Sequence, residues 1–338
     1  MMKGTTMKKK LLTLSSAVLL TASFSACANT VSGGGATEDG GFEFGDNMTL
    51  IVGYGAGSGT DTGARMMAAE LEKKLGVTIT VQNQDGAGGQ VGLTALSNAE
   101  CSGNTFGTTN FPSAIVSVLD EERGATYTRE SFDPISLMVV DPTAIAVLPD
   151  DPIKTPEDLV TAAQENPGGV KYTTTGVASN EHFAMIALEQ ATDTTYNPVH
   201  FPDAGGNMTS AFLGGDVQVF VGNVADMLEL EANGQARVIG VMEEERSPLL
   251  PDVPTFAESG YDVASSSSRG FSYPECAPDE ATEALSTAIG EVMEDPEFQE
   301  QMAASGLAAD YRGADEYEEY WTDREAAFAE IFDIAFEK

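Results

Sequence analysis

Between Met48 and Ala99 the chain twice leaves an apolar strand-like run, turns through glycine and enters a helix-like run. The first unit reads MTLIVGY, then a loop, GYGAGSG, that places four glycines in seven residues (Gly53–Gly59). DTGARMMAAELEKKL follows, with Ala64, Met67, Ala68, Leu71 and Leu75 on one helical face. The second unit is the alternating VTITVQ, the turn NQDGAGG and a helix around Val91 to Ala99. Strands alternating with helices in this way commit a chain to an α/β fold with largely parallel sheets.

The rhythm continues with TFGTTN, ending at Asn110, a helix from about Pro112 to Leu119 and the apolar run ISLMVVDPTAIAVLP. Composition then breaks at PDDPIKTPEDL, where Thr155, Pro156 and Asp158 have the form of a helix start. Strand and helix signals alternate again through VKYTTTG, YNPVHF, VQVFVG and RVIGVM. A chain of 338 residues suits two domains. The expected division is a first lobe of 47–145 and 265–338, with a second lobe of 146–264 inserted into it. Tail helices near Asp279 to Glu294, Pro296 to Ala304 and Asp315 to Phe336 should return to the first lobe.

Residues 1–27 have a basic start (Lys8, Lys9, Lys10), an apolar stretch from Leu11 to about Leu20 and small residues before Cys27, the layout of a secretory signal. Ser25, Ala26 and Cys27 resemble the end of a bacterial lipobox, so Cys27 is expected to be lipidated; an ordinary cleavage site with Cys27 incidental is the other reading. Residues 28–46, rich in Gly and acid, read as a flexible tether. An exported chain with Cys101 and Cys276 left over invites a disulfide between them, with two buried free thiols as the alternative. No later run has the roughly 18 apolar residues of a membrane helix.

Lys and Arg total 17 against 53 Asp and Glu, a formal net charge of −36. Nucleic acid and anionic headgroups are poor partners for such a surface. The acids are scattered over helix faces, which fits solvation, and a salty or alkaline habitat is one hypothesis for the excess, since salt screens their repulsion beyond about 10 Å.

Glycine turns between strand and helix first suggest phosphate binding, but no loop glycine is followed by the lysine of a Walker loop. The dinucleotide pattern fails because Thr60 and Val91 stand where it needs glycine. A serine-hydrolase elbow on Ser58 fails at Ala56 and Thr60, HExxH and CxxC are absent, and His182 and His200 are the only histidines. Catalysis has no constellation to rest on, and neither a metal nor a cofactor is expected. What remains is a helix N-terminus, with unpaired N–H groups and about half a positive charge, stripped of bulk so that an anion can approach. Two such ends, Gly57 to Asp61 and Gly86 to Gly89, should lie side by side at the carboxyl ends of neighbouring strands. The second lobe offers a matching set: Thr174, Thr175, Gly176, Ser179 and Asn180 before the helix of His182, Gly205 and Gly206 in FPDAGGNMT, and Asn223 after a strand. Whether His182 faces this cleft or packs beneath it stays open.

These same residues carry a family resemblance. AGSGTDTGAR, VQNQDGAGGQVG, GVASNEH, AFLGGDVQVFVGN and ERSPLLPDVPTFAESGYD resemble, in order, five segments of the substrate-binding proteins of tripartite tricarboxylate transporters, the Bug-type extracytoplasmic receptors. The match runs from about residue 48 to 330. The resemblance implies a type II, two-lobed periplasmic-binding-protein fold, each lobe a mainly parallel sheet flanked by helices, with the ligand cleft between lobes. It implies a receptor outside the cytoplasm that delivers a small carboxylate to membrane-embedded permease subunits; with the lipid expected on Cys27, the reading is a lipid-anchored monomer. Carried over by position, the resemblance points to Gly57, Ser58, Gly59, Thr60, Asp61, Gly86, Ala87, Gly88, Gly89, Ser179, His182 and Asn223, and Asn110, Thr175 and Gly205 complete the expected ligand set. Ser58 replaces a usual glycine, and Phe201, Pro202 and Asp203 replace a Tyr-Lys-Gly-like segment, which disfavours a strongly anionic ligand such as citrate if those side chains reach the cleft. A sensor-kinase receptor on the same fold and an exported enzyme are the rival readings.

Overall fold

A computed structural model describes residues 35–36, 41–201 and 206–337. The leader ending at Cys27, most of the tether and the segment with Pro202, Asp203 and Gly205 lie outside the described residues. A short antiparallel ladder of β1 (Gly35–Ala36) and β2 (Phe42–Glu43) precedes the main sheet.

The first apolar run is strand β3 (Asn47–Val52), with Met48, Leu50 and Val52 buried. The GYGAGSG loop leads from it into helix α1 (Gly59–Leu75), whose Gly63, Ala64, Met67, Ala68 and Leu71 are buried. Gly76 ends the helix in the left-handed conformation, its N–H bonded to Glu72, with Lys73 and Lys74 in the last turn where the dipole favours cations. Strand β4 (Thr78–Asn83) then pairs in parallel with β3. The second glycine turn opens helix α2 (Gln90–Ser97), and β5 (Thr105–Phe111) pairs in parallel with the other edge of β3. Gly92 is required in α2, because a Cβ there would stand 2.4 Å from the Cα of Gly53. The two glycine loops are thereby pressed against each other.

After α3 (Ser113–Leu119) comes the 16-residue strand β6 (Phe132–Val147), the apolar run of the sequence and the spine of the sheet. Helix α4 (Pro156–Glu165) begins where the composition breaks, with Thr155 accepting from the Asp158 N–H at 3.2 Å and Pro156 at its first turn. The order continues β7 (Lys171–Thr174), α5 (Asn180–Thr192), β8 (Asn197–His200), α6 (Gly206–Leu213), β9 (Val219–Asn223), α7 (Val224–Ala232) and β10 (Arg237–Val241). It closes with β11 (Ser266–Pro274), α8 (Asp279–Met293), α9 (Pro296–Ala304), β12 (Ala309–Arg312) and α10 (Ala314–Glu337).

The strands form one ten-stranded sheet in the order β4-β3-β5-β11-β6-β9-β7-β8, with β10 and β12 also on β6. The flanking ladders are parallel, but the centre is antiparallel: β11 pairs with β5 and with Phe132 to Pro142 of β6, while Thr143 to Val147 pair with β9. β6 therefore belongs to both halves of the sheet, and the changeover falls beside Pro142. Each half has its own core. Leu50, Met67, Leu71, Leu285 and Ile289 fill one; Val147, Leu159, Leu188 and Val219, with Phe212, Phe220 and Met227 on the other face, fill the second. Helix α10 leans on both, packing Phe328 tilted against Phe183 at 5.0 Å and Trp321 edge-to-face against Phe111 at 4.9 Å between ring centroids. Cys101 and Cys276 are joined by a disulfide across 175 residues, tying the turn after α2 to the end of β11.

Candidate functional site

Helix α1 begins at a loop built to leave its N-terminus bare. Ser58 caps it, its Oγ accepting from the Asp61 N–H at 3.2 Å, and Gly59 and Thr60 follow with little bulk. Asp61 is turned inward and 3% exposed: its carboxylate accepts from the Gly57 N–H at 2.8 Å, from Asn83 Nδ2 at 2.7 Å and from Arg65. Burial raises its pKa, yet the bonds from Arg65, Asn83 and Gly57 hold it below the usual carboxylate range. The glycine loop is thus locked from behind while its front stays open.

That front opens onto a cavity of about 450 Å³. Ser58, Gly59, Thr60 and Gly88 line it from the two glycine loops, Asn110 to Ser113 and Arg123 from the end of β5 and beyond, Thr175 to Glu181 from the start of α5, and Ser267 to Arg269 from β11. Both α1 and α5 point their N-termini at the same space. Asn110, 9% exposed, donates to Thr60 Oγ1 at 2.7 Å, and its Oδ1 has no hydrogen-bond partner among the described residues.

The α5 loop repeats the design of the first. Ser179 caps the helix by accepting from the His182 N–H at 3.3 Å, and Thr174 shares a 2.8 Å hydrogen bond with Ser179. His182 Nδ1 accepts the N–H of Ala178, a residue held at φ +58°. A left-handed alanine is costly, and the imidazole offsets part of that cost by fixing its amide. Glu181 Oε2 takes the hydroxyl and N–H of Thr175 at 2.8 and 3.3 Å. Asn223 belongs to a connecting network, its Oδ1 accepting from Asn180 Nδ2 at 3.3 Å and Ser267 Oγ at 3.2 Å.

Two glycine loops in contact, two helix N-termini and a polar cavity lie together at strand ends, and comparison with known proteins identifies the family that the chain joins. The profile of the tripartite tricarboxylate transporter family receptors, TctC, matches residues 63–333. The chain belongs to that family. A curated relative, the UPF0065 protein in the gbd 5' region of Cupriavidus necator, is 26% identical over 280 residues, covering 81% of this chain and 82% of its own. The fold is that of a TctC solute-binding protein from Polaromonas, with TM-score 0.76 and 24% identity over 85% of this chain and 98% of that one. A Rhodopseudomonas palustris protein solved with adipate has TM-score 0.72 at 20% identity, covering 86% and 97%.

Within this TctC-type receptor fold, the sequence-derived residues divide into two groups. Ser58, Gly59, Thr60, Gly88, Asn110, Thr175 and Ser179 meet on the wall of one cavity. Gly57, Asp61, Gly86, Ala87, Gly89, His182 and Asn223 stand outside that wall. Gly89 packs against the Tyr54 ring, where a Cβ would come within 2.9 Å of the hydroxyl, and His182 is fully buried beside His200 at 5.4 Å between ring centroids. Gly205 lies outside the described residues. Sequence reasoning missed Ser267, Ser268 and, above all, Arg269, a cation on the cavity wall. Its signal was a lone arginine inside SSSSRGFSYP in a chain with 17 basic residues, but only strand register brings that run to the cleft. Among the described residues no cluster of three metal-ligating side chains occurs, and no helix is long and apolar enough to cross a membrane.

Proposed function

We propose that this receptor captures a small organic carboxylate outside the cytoplasm and delivers it to the membrane subunits of a tripartite tricarboxylate-type transporter, without catalysis. The observation that carries the reading is the convergence of the α1 and α5 N-termini on one cavity of about 450 Å³. Unpaired helix amides and the dipole favour an anion at each end, and the bare Ser58–Gly59–Thr60 edge lets a carboxylate reach them. Bound adipate in the Rhodopseudomonas relative is in keeping with that chemistry. On this reading the segments 47–145 with 265–338 and 146–264 act as two lobes that close on the ligand. Cys27 carries the lipid, residues 28–46 tether a monomer to the membrane, and the ligand set of the sequence analysis divides into Ser58, Gly59, Thr60, Gly88, Asn110, Thr175 and Ser179 as contacts, with the others as their supports.

The test is a thermal-shift and calorimetric screen of the full chain against aliphatic, hydroxy, amino and aromatic acids beside their neutral amides. A bound acid at a hundredfold its Kd should add about 2.7 kcal/mol of stability. Stabilisation by amides as strong as by acids, or none by any acid, overturns the reading.

A further inference from the structure

Arg269 lies mid-strand in β11, its Cα registered against Asn110 on one side and Val139 on the other. Its side chain is 15% exposed and lines the cavity. Nη1 is buried without a hydrogen-bond partner among the described residues. Nη2 lies 3.8 Å from Oδ2 of the fully buried Asp141, beyond hydrogen-bond reach, and that oxygen is unpartnered as well. Asp141 is held from its other oxygen, Oδ1, by the Ala225 N–H at 3.3 Å. Ser268, 1% exposed on the same cavity wall, also has an unpartnered Oγ.

Two features make this unlike a structural ion pair. A guanidinium that serves only stability closes its planar fork on a carboxylate, because a buried donor left unmade is costly. Here the fork is not closed: Nη1 has no partner among the described residues, Nη2 stands 3.8 Å from Asp141, and the side chain borders the cavity. The guanidinium also sits under the first residue of α1, where a Cβ on Gly59 would be 3.6 Å from Nη2. A helix N-terminus repels a cation, and an anion placed between them satisfies both.

We infer that Arg269 binds a carboxylate of the ligand directly through its guanidinium, with Asp141 as the positioning residue behind it. This rests on the carboxylate reading above and adds to it a charged side chain that the glycine loops alone do not supply. The ligand's carboxylate then takes the Arg269 fork from one side and the amides of the α1 N-terminus from the other. Discrimination against a neutral amide of the same shape comes mainly from Arg269.

The test titrates the full chain by calorimetry with malate, adipate, glutamate, benzoate and acetate, then repeats the tightest with R269Q and R269K and with the ligand's amide. Replacing the fork should weaken the acid roughly 10- to 100-fold, the range of hydrogen bonds to charged groups, while leaving the amide's affinity within twofold. R269K, which keeps the charge and loses the fork, should fall between. Melting curves without ligand establish that both variants fold. An R269Q affinity for the acid within twofold of wild type overturns the role of Arg269 and leaves the carboxylate reading standing. Failure of wild type to bind any acid overturns both.

Discussion

Asp61 and Asp141 are both buried acids beside the cleft, and their surroundings push them in opposite directions. Asp61, clamped by Gly57, Asn83 and Arg65, titrates below its usual range, so its contribution is present above the unfolded value and is lost as pH falls through the lower, folded one. Asp61→Asn should cost roughly 1–3 kcal/mol at neutral pH by urea unfolding, and the gap to wild type should shrink in acid. A gap that stays constant with pH would refute the clamp. Burial pushes Asp141 up to about 7 against the pull of Arg269 and the Ala225 and Val224 amides, with Asp226 raising it further. The folded state then holds a proton that the unfolded state gives up, so the contribution of Asp141 to stability declines from about pH 4 to about 7 and levels off above. In Asp141→Asn that decline should be missing from the melting profile; wild type and variant running parallel across the window would rule it out. The charged groups facing Asp141 are Arg269 on β11 and Asp226 on α7, with Glu181 on α5 next to Asp226, so each variant profile reports that set. Gly59→Leu puts an isobutyl group over Arg269 at a position where a helix accepts leucine well. Acid binding should fall at least tenfold with the melting temperature kept, and retained binding would show that the α1 edge does not meet the ligand.

At the scale of elements, the site consists of supports as much as contacts. The two glycine loops touch because Gly92 lets α2 close on Gly53, and the α5 loop keeps its left-handed Ala178 because His182 holds its amide. Such residues look like ligands in a sequence, since they lie in the same short motifs. The tail is bound by the Cys101–Cys276 bridge, which closes a span of 175 residues. In the chain-entropy account a loop of that length adds roughly 5 kcal/mol, so Cys101→Ser with Cys276→Ser should shift the denaturation midpoint sharply downward, as should reductant on wild type. A midpoint unmoved by reductant would mean the bridge does not constrain the unfolded chain. Helix boundaries were legible where caps and periodicity agree, as at Thr155–Pro156 and through α1; the antiparallel centre was not, because nothing local in β6 or β11 states which neighbour each will take.

Over the whole molecule, a net charge of −36 works against compactness, and salt should relieve it. Without ligand, the melting temperature should rise by several degrees between low salt and about 1 M NaCl, where the Debye length is roughly 3 Å, with sucrose as the uncharged control. The sequence by itself determined the α/β alternation, the two glycine loops and the failure of the nucleotide and hydrolase motifs, because these follow from local spacing, caps and turn residues, and five of its segments carried the resemblance to the receptor family. Which of those motif residues face the cavity, and that Arg269 joins them beside Asp141, was decided only by tertiary structure. A strand's side chains are sorted by register, and β11 takes its register from β5 and β6, more than a hundred residues earlier in the chain.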